Sequence, residues 1–378
     1  MNSPLWQPSP ERIAQANLTE FMKSVSEQYW IGLHDYAQLY EWSTSEPEQF
    51  WEALWSYTGV IAETRGNRIA VDRHLMPGAT WFPDARLNFA ENLLRRRDDA
   101  TALVFWGEDQ VKTRLSCAEL YAHVSRLAQA LRSAGIIAGD RVAGYLPNMP
   151  AAVIGMLAAT SLGAIWSSCS PDFGVQGVLD RFGQIGPRIL ITADGYFYGG
   201  KTIDVLPRVQ EVLARLPSVE RTLVVGYTQA HPAIADLRGG VMLEDFIAPY
   251  TPSEIRFERL PFNHPVYILY SSGTTGAPKC IVHGAGGTLL QHLKEHRLHT
   301  NVRPEDRVFY FTTCGWMMWN WLVSALASSA TVMLYDGSPF AADGRILFDY
   351  VEAEHITVFG TSAKYLDAAA KLGLTPIH

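Results

Sequence analysis

The sequence is short of cysteine, of positive charge and of long apolar runs, and each shortage excludes a class of protein. Its four cysteines, Cys117, Cys169, Cys280 and Cys314, show no paired spacing. This argues against a disulfide framework and favours reduced thiols in a cytoplasmic protein. Lysine and arginine total 31 against 38 acidic residues, a net charge of −7. This balance gives no electrostatic reason to expect nucleic acid or an anionic membrane as a partner.

Apolar residues are frequent, but they are not arranged for a membrane. The most apolar stretch, Ala151 to Trp166, is interrupted by Thr160 and Ser161, and it is shorter than the ~20 apolar residues of a membrane helix. Met1 to Pro10 lacks the basic and apolar segments of a signal peptide. With 48% apolar and 18% charged residues in 378, we expect a globular protein of two or three domains.

From about residue 100 the sequence alternates between short apolar runs and amphipathic segments. Ala102–Trp106 has the composition of a buried strand. Ser116 and Glu119 form the pattern of a capping box, which begins a helix that Gly135 ends. The alternation continues toward the end of the chain and predicts an α/β fold, with parallel sheets sandwiched by helices.

The N-terminal region differs from the rest in being rich in aromatic residues. Phe50, Trp51, Leu54 and Trp55 have helical apolar spacing, which is more typical of a packed core than of a ligand site. Other tryptophans of this region are Trp6, Trp30, Trp42 and Trp81. We therefore expect a helical cap at residues 1–85, a first α/β sub-domain at 86–245 and a second at 246–378.

One polar loop carries the strongest functional signal, the segment from Ser271 to Lys279 that follows the apolar run Val266–Tyr270. Its glycines let the backbone approach a phosphate closely, its hydroxyls can donate to phosphate oxygens, and Lys279 adds a positive charge. The residues concerned are Ser271, Ser272, Gly273, Thr274, Thr275, Gly276 and Lys279. Ligands of parallel sheets bind beyond the carboxyl ends of the strands. We therefore interpret the segment as a polyphosphate cradle rather than an ordinary polar turn.

Two other patterns have weaker functional readings. Gly195 to Thr202 fits the expression G-x-x-x-x-G-K-T, but three consecutive aromatics occupy positions that should wrap phosphates, so a lone phosphate contact by Lys201 is favoured over a P-loop. His292, His296 and His299 lie on one predicted helix. The flanking glutamate of a zinc protease is absent, so the pattern favours a solvated helix face over a metal site.

The segment Gly315 to Trp321 contains three tryptophans and two methionines. It is either the buried start of a helix or the wall of a pocket, since tryptophan and methionine often line clefts for small molecules.

The loop Tyr270-Ser-Ser-Gly-Thr-Thr-Gly-Ala-Pro-Lys279 resembles the phosphate-loop motif of the adenylate-forming enzymes, which include acyl-CoA synthetases, luciferases and peptide-synthetase adenylation domains. Other segments narrow the resemblance to the acetoacetyl-CoA synthetases, close relatives of the acetyl-CoA synthetases. These segments are Leu39–Ser43, Pro83–Asn92, Ser170–Gly174 and Phe311–Trp319. The resemblance covers essentially the whole chain and implies the large N-terminal domain of these enzymes, incomplete at its end and preceded by their helical segment.

The resemblance implies an acid–thiol ligase that uses ATP, Mg²⁺ and coenzyme A to convert the ketone body acetoacetate first to acetoacetyl-AMP and then to acetoacetyl-CoA. The loop would bind the ATP phosphates, with Thr275 and Lys279 in catalytic roles, and Lys201 would contact a CoA phosphate. The acyl pocket would be formed by Trp316, Met317, Met318, Trp319, Asn320 and Thr361. An indole N–H or the Asn320 amide would donate to the 3-oxo group.

Members of the family are nearly twice as long as this chain. The acidic segment for Mg²⁺ and ATP, the ribose-binding aspartate and the adenylation lysine have no counterpart here. We therefore expect an N-terminal portion that is inactive alone, with the remainder as a continuation or a second chain. The open alternatives are an acetyl- or propionyl-CoA synthetase, a fatty-acyl ligase, a non-catalytic fragment and a P-loop NTPase.

Overall fold

The computed structural model describes residues 6–271 and 276–375. Its α-helices are α1 Pro10–Gln15, α2 Asn17–Tyr29, α3 Tyr36–Ser45, α4 Pro47–Thr58, α5 Phe89–Leu93, α6 Cys117–Ser133, α7 Pro150–Ser161, α8 Val175–Ile185, α9 Leu206–Arg215, α10 Leu243–Ile247, α11 Ala285–Lys294, α12 Met317–Val323, α13 Ile346–Ala353 and α14 Ala363–Lys371. A π-helical turn at Glu295–His299 and 3₁₀ turns at Ser324–Ser328 and Ala342–Gly344 complete the helical segments of these residues.

The strands of the described residues are β1 Ala62–Thr64, β2 Ala70–Val71, β3 Thr80–Trp81, β4 Arg86–Leu87, β5 Thr101–Gly107, β6 Val111–Ser116, β7 Arg141–Tyr145, β8 Ile165–Cys169, β9 Ile189–Ala193, β10 Gly195–Tyr198, β11 Lys201–Asp204, β12 Arg221–Val225, β13 Gly240–Met242, β14 Leu260–Pro261, β15 Pro265–Tyr270, β16 Cys280–Gly284, β17 Arg307–Tyr310, β18 Thr331–Asp336 and β19 Val358–Gly360.

The larger sheet has the strand order β13-β12-β9-β7-β8-β15-β16. Its neighbouring strands are parallel from β13 to β15, and β16 is antiparallel at the edge. Successive side chains of β7 face opposite layers, as the pleat of a strand requires. Val142 belongs to the core layer of α6 and α7, and Ala143 to the layer of α8 and α9. This sheet confirms the predicted α/β class.

The smaller sheet has the order β19-β17-β18-β5-β6, with β6 antiparallel at one edge. Val104 of β5 packs in a core with α13, whereas Leu103 packs in the core that also contains residues of the larger sheet. Helices and sheets thus bury both faces of the central strands. The division expected at residues 245 and 246 does not separate the two sheets, because β15 and β16 join the larger sheet and β5 and β6 the smaller one.

Local signals explain where several elements begin and end. The predicted capping box is present at α6: the Ser116 hydroxyl accepts the Glu119 N–H, and the Glu119 carboxylate accepts the Ser116 N–H. Gly135 follows α6 at φ +79°, a conformation that glycine adopts without strain.

The N-terminal helices pack around their own aromatic core. Trp42 and Phe50 are buried there together with Leu298 of the main body. Trp55 is also buried, but Trp6 and Trp30 are 67% and 94% exposed, so these two lie outside the expected core. Across the described residues, we found no helix with both the length and the apolar composition that a membrane crossing needs.

Candidate active site

The base of the polar loop is closed by two hydrogen bonds. The Ser271 N–H donates to the Lys279 carbonyl, and the Lys279 N–H donates to Ser271 Oγ, each at 3.0 Å. The expected phosphate ligands Ser272, Gly273, Thr274 and Thr275 lie outside the described residues. Gly276 and Lys279 are exposed beyond the carboxyl end of β15, where ligands of parallel sheets bind.

The second half of the loop contacts α8. The strand before the loop, β15, is bonded to its neighbour β8. Gln184 donates to the Pro278 carbonyl at 2.7 Å. The Tyr270 hydroxyl lies 2.9 Å from Ser167 Oγ on β8. The guanidinium of Arg181 lies 5.7 Å from the centre of the Tyr270 ring. The loop is thus presented at the carboxyl edge of β8 and β15, the place where such sheets bind ligands.

A cavity of about 600 Å³ opens between α11 and α12, and we call it the helix cavity. It is lined by His283, Gly287, Thr288, Gln291, His292, Glu295, Tyr310, Met317, Met318 and Trp321. His283 lies on β16, the strand that leaves the polar loop. The cavity therefore extends from β16, the strand that follows the polar loop, to the methionines at the start of α12.

Of the acyl-pocket residues expected from the sequence, the structure brings Met317 and Met318 to the helix cavity. Trp316 is 60% exposed just before α12. Trp319 is fully buried, and its indole N–H already donates to Asn148 Oδ1 at 2.9 Å. That donor is therefore committed to another partner.

Asn320 and Thr361 lie apart from the lining of the helix cavity. The Asn320 side chain is buried, and it has no hydrogen-bond partner among the described residues. Thr361 lies between β19 and α14, and its hydroxyl likewise has no partner within residues 6–271 and 276–375. Neither residue is among those that line the helix cavity in the described part of the chain, and their roles toward a substrate stay predictions.

Two of the three histidines of the predicted helix are buried, so the expected solvated helix face is wrong. His292 is 7% exposed and His296 is fully buried, because this side of the helix packs toward α12 and the turn that follows it. His299 is exposed. Desolvation, with a smaller contribution from His283, lowers the pKa of His292 to about 3, and desolvation also lowers the pKa of His296 well below its usual value. Both rings are therefore neutral near pH 7.

His292 is held by a short hydrogen-bond chain. Its Nδ1 lies 2.8 Å from Ser324 Oγ, and that hydroxyl lies 2.8 Å from the Asn320 carbonyl. The ring of His296 packs against Trp321 at 4.4 Å between centres. Sequence reasoning missed His283 and His292 as cavity residues. The available signal was the absence of charged residues from one side of the predicted α11.

A second cavity of about 420 Å³ lies at the carboxyl ends of strands from both sheets, and we call it the sheet-edge cavity. It is lined by Pro147, Asn148, Ser170, Pro171, Asp172, Tyr196, Tyr198, Phe311, Thr312, Thr313, Tyr335, Asp336, Gly337, Pro339, Phe340, Ser362, Lys364, Tyr365 and Ala368. Burial raises the pKa of Asp336 to about 7, although a hydrogen bond from Tyr227 opposes the rise.

Lys201 lies on a β-hairpin at the rim of the sheet-edge cavity. It pairs with Tyr198 across β10 and β11, and directly paired residues project from the same face of a hairpin. Tyr198 lines the cavity, so exposed Lys201 projects on the cavity side. The segment Gly195 to Thr202 thus forms two strands and a turn, not the strand-to-helix turn of a P-loop.

Glu108 fixes this hairpin, and sequence reasoning missed it. Its carboxylate is 1% exposed and accepts the N–H groups of Gly199 and Gly200 at 2.6 and 2.9 Å. It also accepts the Ser338 N–H at 2.9 Å. Within residues 6–271 and 276–375, three or more potential metal ligands do not come together at any point.

A polar loop of glycine, serine, threonine and lysine at the carboxyl edge of a parallel sheet is the arrangement typical of a nucleotide-binding α/β protein. The family model described as AMP-binding enzyme matches residues 89–376, and that of the acetyl-coenzyme A synthetase N-terminus matches residues 36–93. The chain belongs to the AMP-binding enzyme family.

Among its relatives, the chain is similar to acetoacetyl-coenzyme A synthetase of Rhizobium meliloti, with 56% identity over 99% of this chain and 57% of the relative. It is 40% identical to malonamoyl-CoA synthetase of Penicillium aethiopicum over 96% of this chain and 53% of that protein. The solved acetoacetyl-CoA synthetase from Streptomyces lividans matches with 43% identity and a TM-score of 0.92, over 98% of this chain and 57% of its own. The chain spans little more than half the length of these relatives.

Proposed function

We propose that the protein to which this chain belongs is an acetoacetate–CoA ligase. In the first step, a carboxylate oxygen of acetoacetate attacks the α-phosphorus of the magnesium complex of ATP, forming acetoacetyl-AMP and releasing pyrophosphate. In the second step, the CoA thiol loses its proton and attacks the acyl carbon, forming acetoacetyl-CoA and releasing AMP. The free cysteines, Cys117, Cys169, Cys280 and Cys314, are consistent with a reaction in the reducing cytoplasm.

One observation carries the proposal: the polar loop and the helix cavity are joined by a single short strand. β16 begins directly after Lys279, and His283 near its end lines the cavity. We infer that an acid bound in the cavity directs its carboxylate back along β16, toward phosphates held by the loop. Such an adenylation needs little more than positioning and neutralisation of charge.

The loop residues have distinct roles in this proposal. The Ser271 hydroxyl, the hydroxyls of Ser272, Thr274 and Thr275, and backbone N–H groups from Ser272 to Gly276 hold the β- and γ-phosphates. Lys279 neutralises part of their charge. Thr275 and Lys279 are the two that we expect to assist the transfer. Magnesium arrives with ATP, which suits an ion that prefers phosphate oxygens and few protein ligands.

The choice of acid follows from the helix cavity and from the names of two relatives. Acetoacetyl and malonamoyl groups both carry a carbonyl at C3, with a methyl group in one and an amide nitrogen in the other. A cavity lined by flexible Met317 and Met318 can take a short acid without being filled by the protein itself. Acetyl- or propionyl-CoA synthesis remains the alternative for the same machinery.

Coenzyme A is assigned to the sheet-edge cavity. Lys201 at its rim and Lys364 in its lining supply positive charge for the CoA phosphates. Asp336 carries less negative charge near pH 7 than an ordinary aspartate, since its pKa is raised to about 7. This lowers its repulsion of an anionic ligand.

The test uses an enzyme of the relatives' length. Because this chain spans 57% of the Rhizobium protein, we would continue it with the C-terminal portion of that relative, a fusion that we call the extended enzyme. ATP–pyrophosphate exchange and CoA thioester formation are measured with acetoacetate, malonamate, acetate, butyrate and octanoate. We expect the highest kcat/KM with acetoacetate. If the extended enzyme prefers acetate, acetyl-CoA synthesis replaces acetoacetyl-CoA synthesis as the proposed function. A folded fusion without acid-dependent exchange would contradict ligase activity.

A further inference from the structure

The polar groups of the helix cavity are not equally free to bind a substrate. Gln291 donates its amide N–H to Glu295 Oε1 at 3.1 Å. Glu295 can only accept hydrogen bonds when it is ionised, and it pairs with Lys294 at 3.1 Å. The ring of His292 has one nitrogen fixed by Ser324, and the other has no hydrogen bond among the described residues.

The hydrogen-bond chain determines what the second nitrogen of His292 can do. The Asn320 carbonyl already accepts the backbone N–H of Ser324, which closes α12. The Ser324 hydroxyl can therefore turn its hydrogen either to that carbonyl or to Nδ1 of His292 without leaving the carbonyl unpaired. In the second arrangement the ring proton sits on Nε2, and His292 presents a neutral N–H donor to the cavity.

We propose that His292 is the specificity-determining residue for the C3 carbonyl of the acid, with Nε2–H donating to the 3-oxo oxygen and Ser324 fixing the ring. The inference rests on the proposed function and deepens it. A buried carbonyl without a donor is unfavourable, whereas one paired to a donor is tolerated and oriented. A neutral donor suits this task because it adds no buried charge beside the carboxylate and phosphates of the reacting groups.

The proposal separates two acids of almost the same shape. Butyrate has a methylene group where acetoacetate has its 3-oxo group, so only acetoacetate uses the donor. Replacing His292 by leucine should therefore lower kcat/KM for acetoacetate by roughly 10- to 100-fold, the effect of leaving a buried polar group unpaired. For butyrate, the same replacement should change kcat/KM little or raise it.

The experiment compares kcat/KM for the two acids in the extended enzyme and its variants. His292→Leu should reduce the ratio of acetoacetate to butyrate, and His292→Gln, whose amide N–H lies near the position of Nε2, should restore part of it. Ser324→Ala should reduce the ratio less than His292→Leu. His299→Leu, on an exposed residue of the same helical segment, is the matched control and should leave the ratio unchanged.

Two failures are distinguishable. If the unmodified extended enzyme does not prefer acetoacetate to butyrate, the proposed substrate is wrong and the inference fails with it. Suppose instead that the unmodified enzyme prefers acetoacetate while His292→Leu keeps the acetoacetate-to-butyrate ratio, for example by lowering kcat/KM equally for both acids. In that case His292 has only a structural role and the proposed function stands. Should His292→Leu not fold, as its melting curve would reveal, the ratios of His292→Gln and Ser324→Ala decide: unchanged ratios in both overturn the inference.

Discussion

The carboxylate of Glu108 accepts the backbone N–H of Gly199 at 2.6 Å and so ties the turn of a hairpin to the end of β5. The same carboxylate binds the N–H groups of Gly200 and Ser338. Three backbone donors from two segments therefore converge on one buried charge, and bonds of this kind are stronger than neutral ones. The hairpin carries Lys201 to the rim of the sheet-edge cavity. Its position there depends on Glu108.

We predict that Glu108→Ala raises the KM for CoA at least about tenfold in the extended enzyme, because the loss of charge-assisted bonds releases the hairpin. ATP–pyrophosphate exchange should stay near its original rate. Glu108→Gln retains acceptor oxygen and should have an intermediate KM. Glu119→Ala, which removes the carboxylate half of the exposed capping box of α6, should leave CoA use unchanged and serves as the control. An unchanged KM in Glu108→Ala would separate the hairpin from CoA binding.

A second prediction distinguishes the two lysines. Lys279→Ala removes a charge-assisted contact worth about 1.5–3 kcal/mol, so it should raise the KM for ATP and slow ATP–pyrophosphate exchange. Capture of a supplied acetoacetyl-adenylate by CoA should be spared. Lys201→Ala should give the opposite pattern, with weaker use of CoA and nearly normal exchange. The two variants are controls for each other, since each removes one exposed ammonium group. If Lys279→Ala slows both half-reactions equally, the loop has a role other than binding the ATP phosphates.

A third prediction concerns the length of the acid. Met317 lines the helix cavity while remaining 47% exposed at its edge, so its side chain can limit the cavity without supporting the core. Met317→Ala should raise kcat/KM for hexanoate and octanoate relative to acetoacetate, by about fourfold for each methylene newly buried at ~0.8 kcal/mol. Met76→Ala, at a residue that is 97% exposed, should leave the profile unchanged. A profile that Met317→Ala does not alter would remove Met317 from the acyl site.

Sequence patterns predicted the parts of this molecule whose causes are local. The capping box of α6, the apolar run before the polar loop and the aromatic spacing of α4 each act within a few residues, so the sequence displays them directly. The burial of His292, the commitment of the Trp319 indole to Asn148 and the binding of the hairpin by Glu108 depend on distant partners. The local spacing of apolar residues carries no information about those contacts. The assignment of early and late strands to the same sheet is not predictable from local patterns for the same reason, because β5 pairs with β18 across more than half the chain.

The last prediction follows from the buried histidines and concerns the pH dependence of stability. The pKa of His292 is lowered to about 3 from 6.5, and that of His296 is lowered well below 6.5. The unfolded chain therefore binds more protons than the folded one below pH 6.5, so stability is full above that pH and is lost as the pH falls toward 3. At pH 5, below the unfolded pKa of 6.5, His292 should reduce the unfolding free energy by about 2 kcal/mol, from 1.36 kcal/mol per unit, and His296 should reduce it further. Melting temperatures of this chain, measured between pH 7.5 and 5, should fall less in His296→Met than in the unmodified protein. His299→Gln, at an exposed site, should follow the unmodified protein, and a His296→Met variant with the same pH dependence would show that His296 titrates normally in the fold.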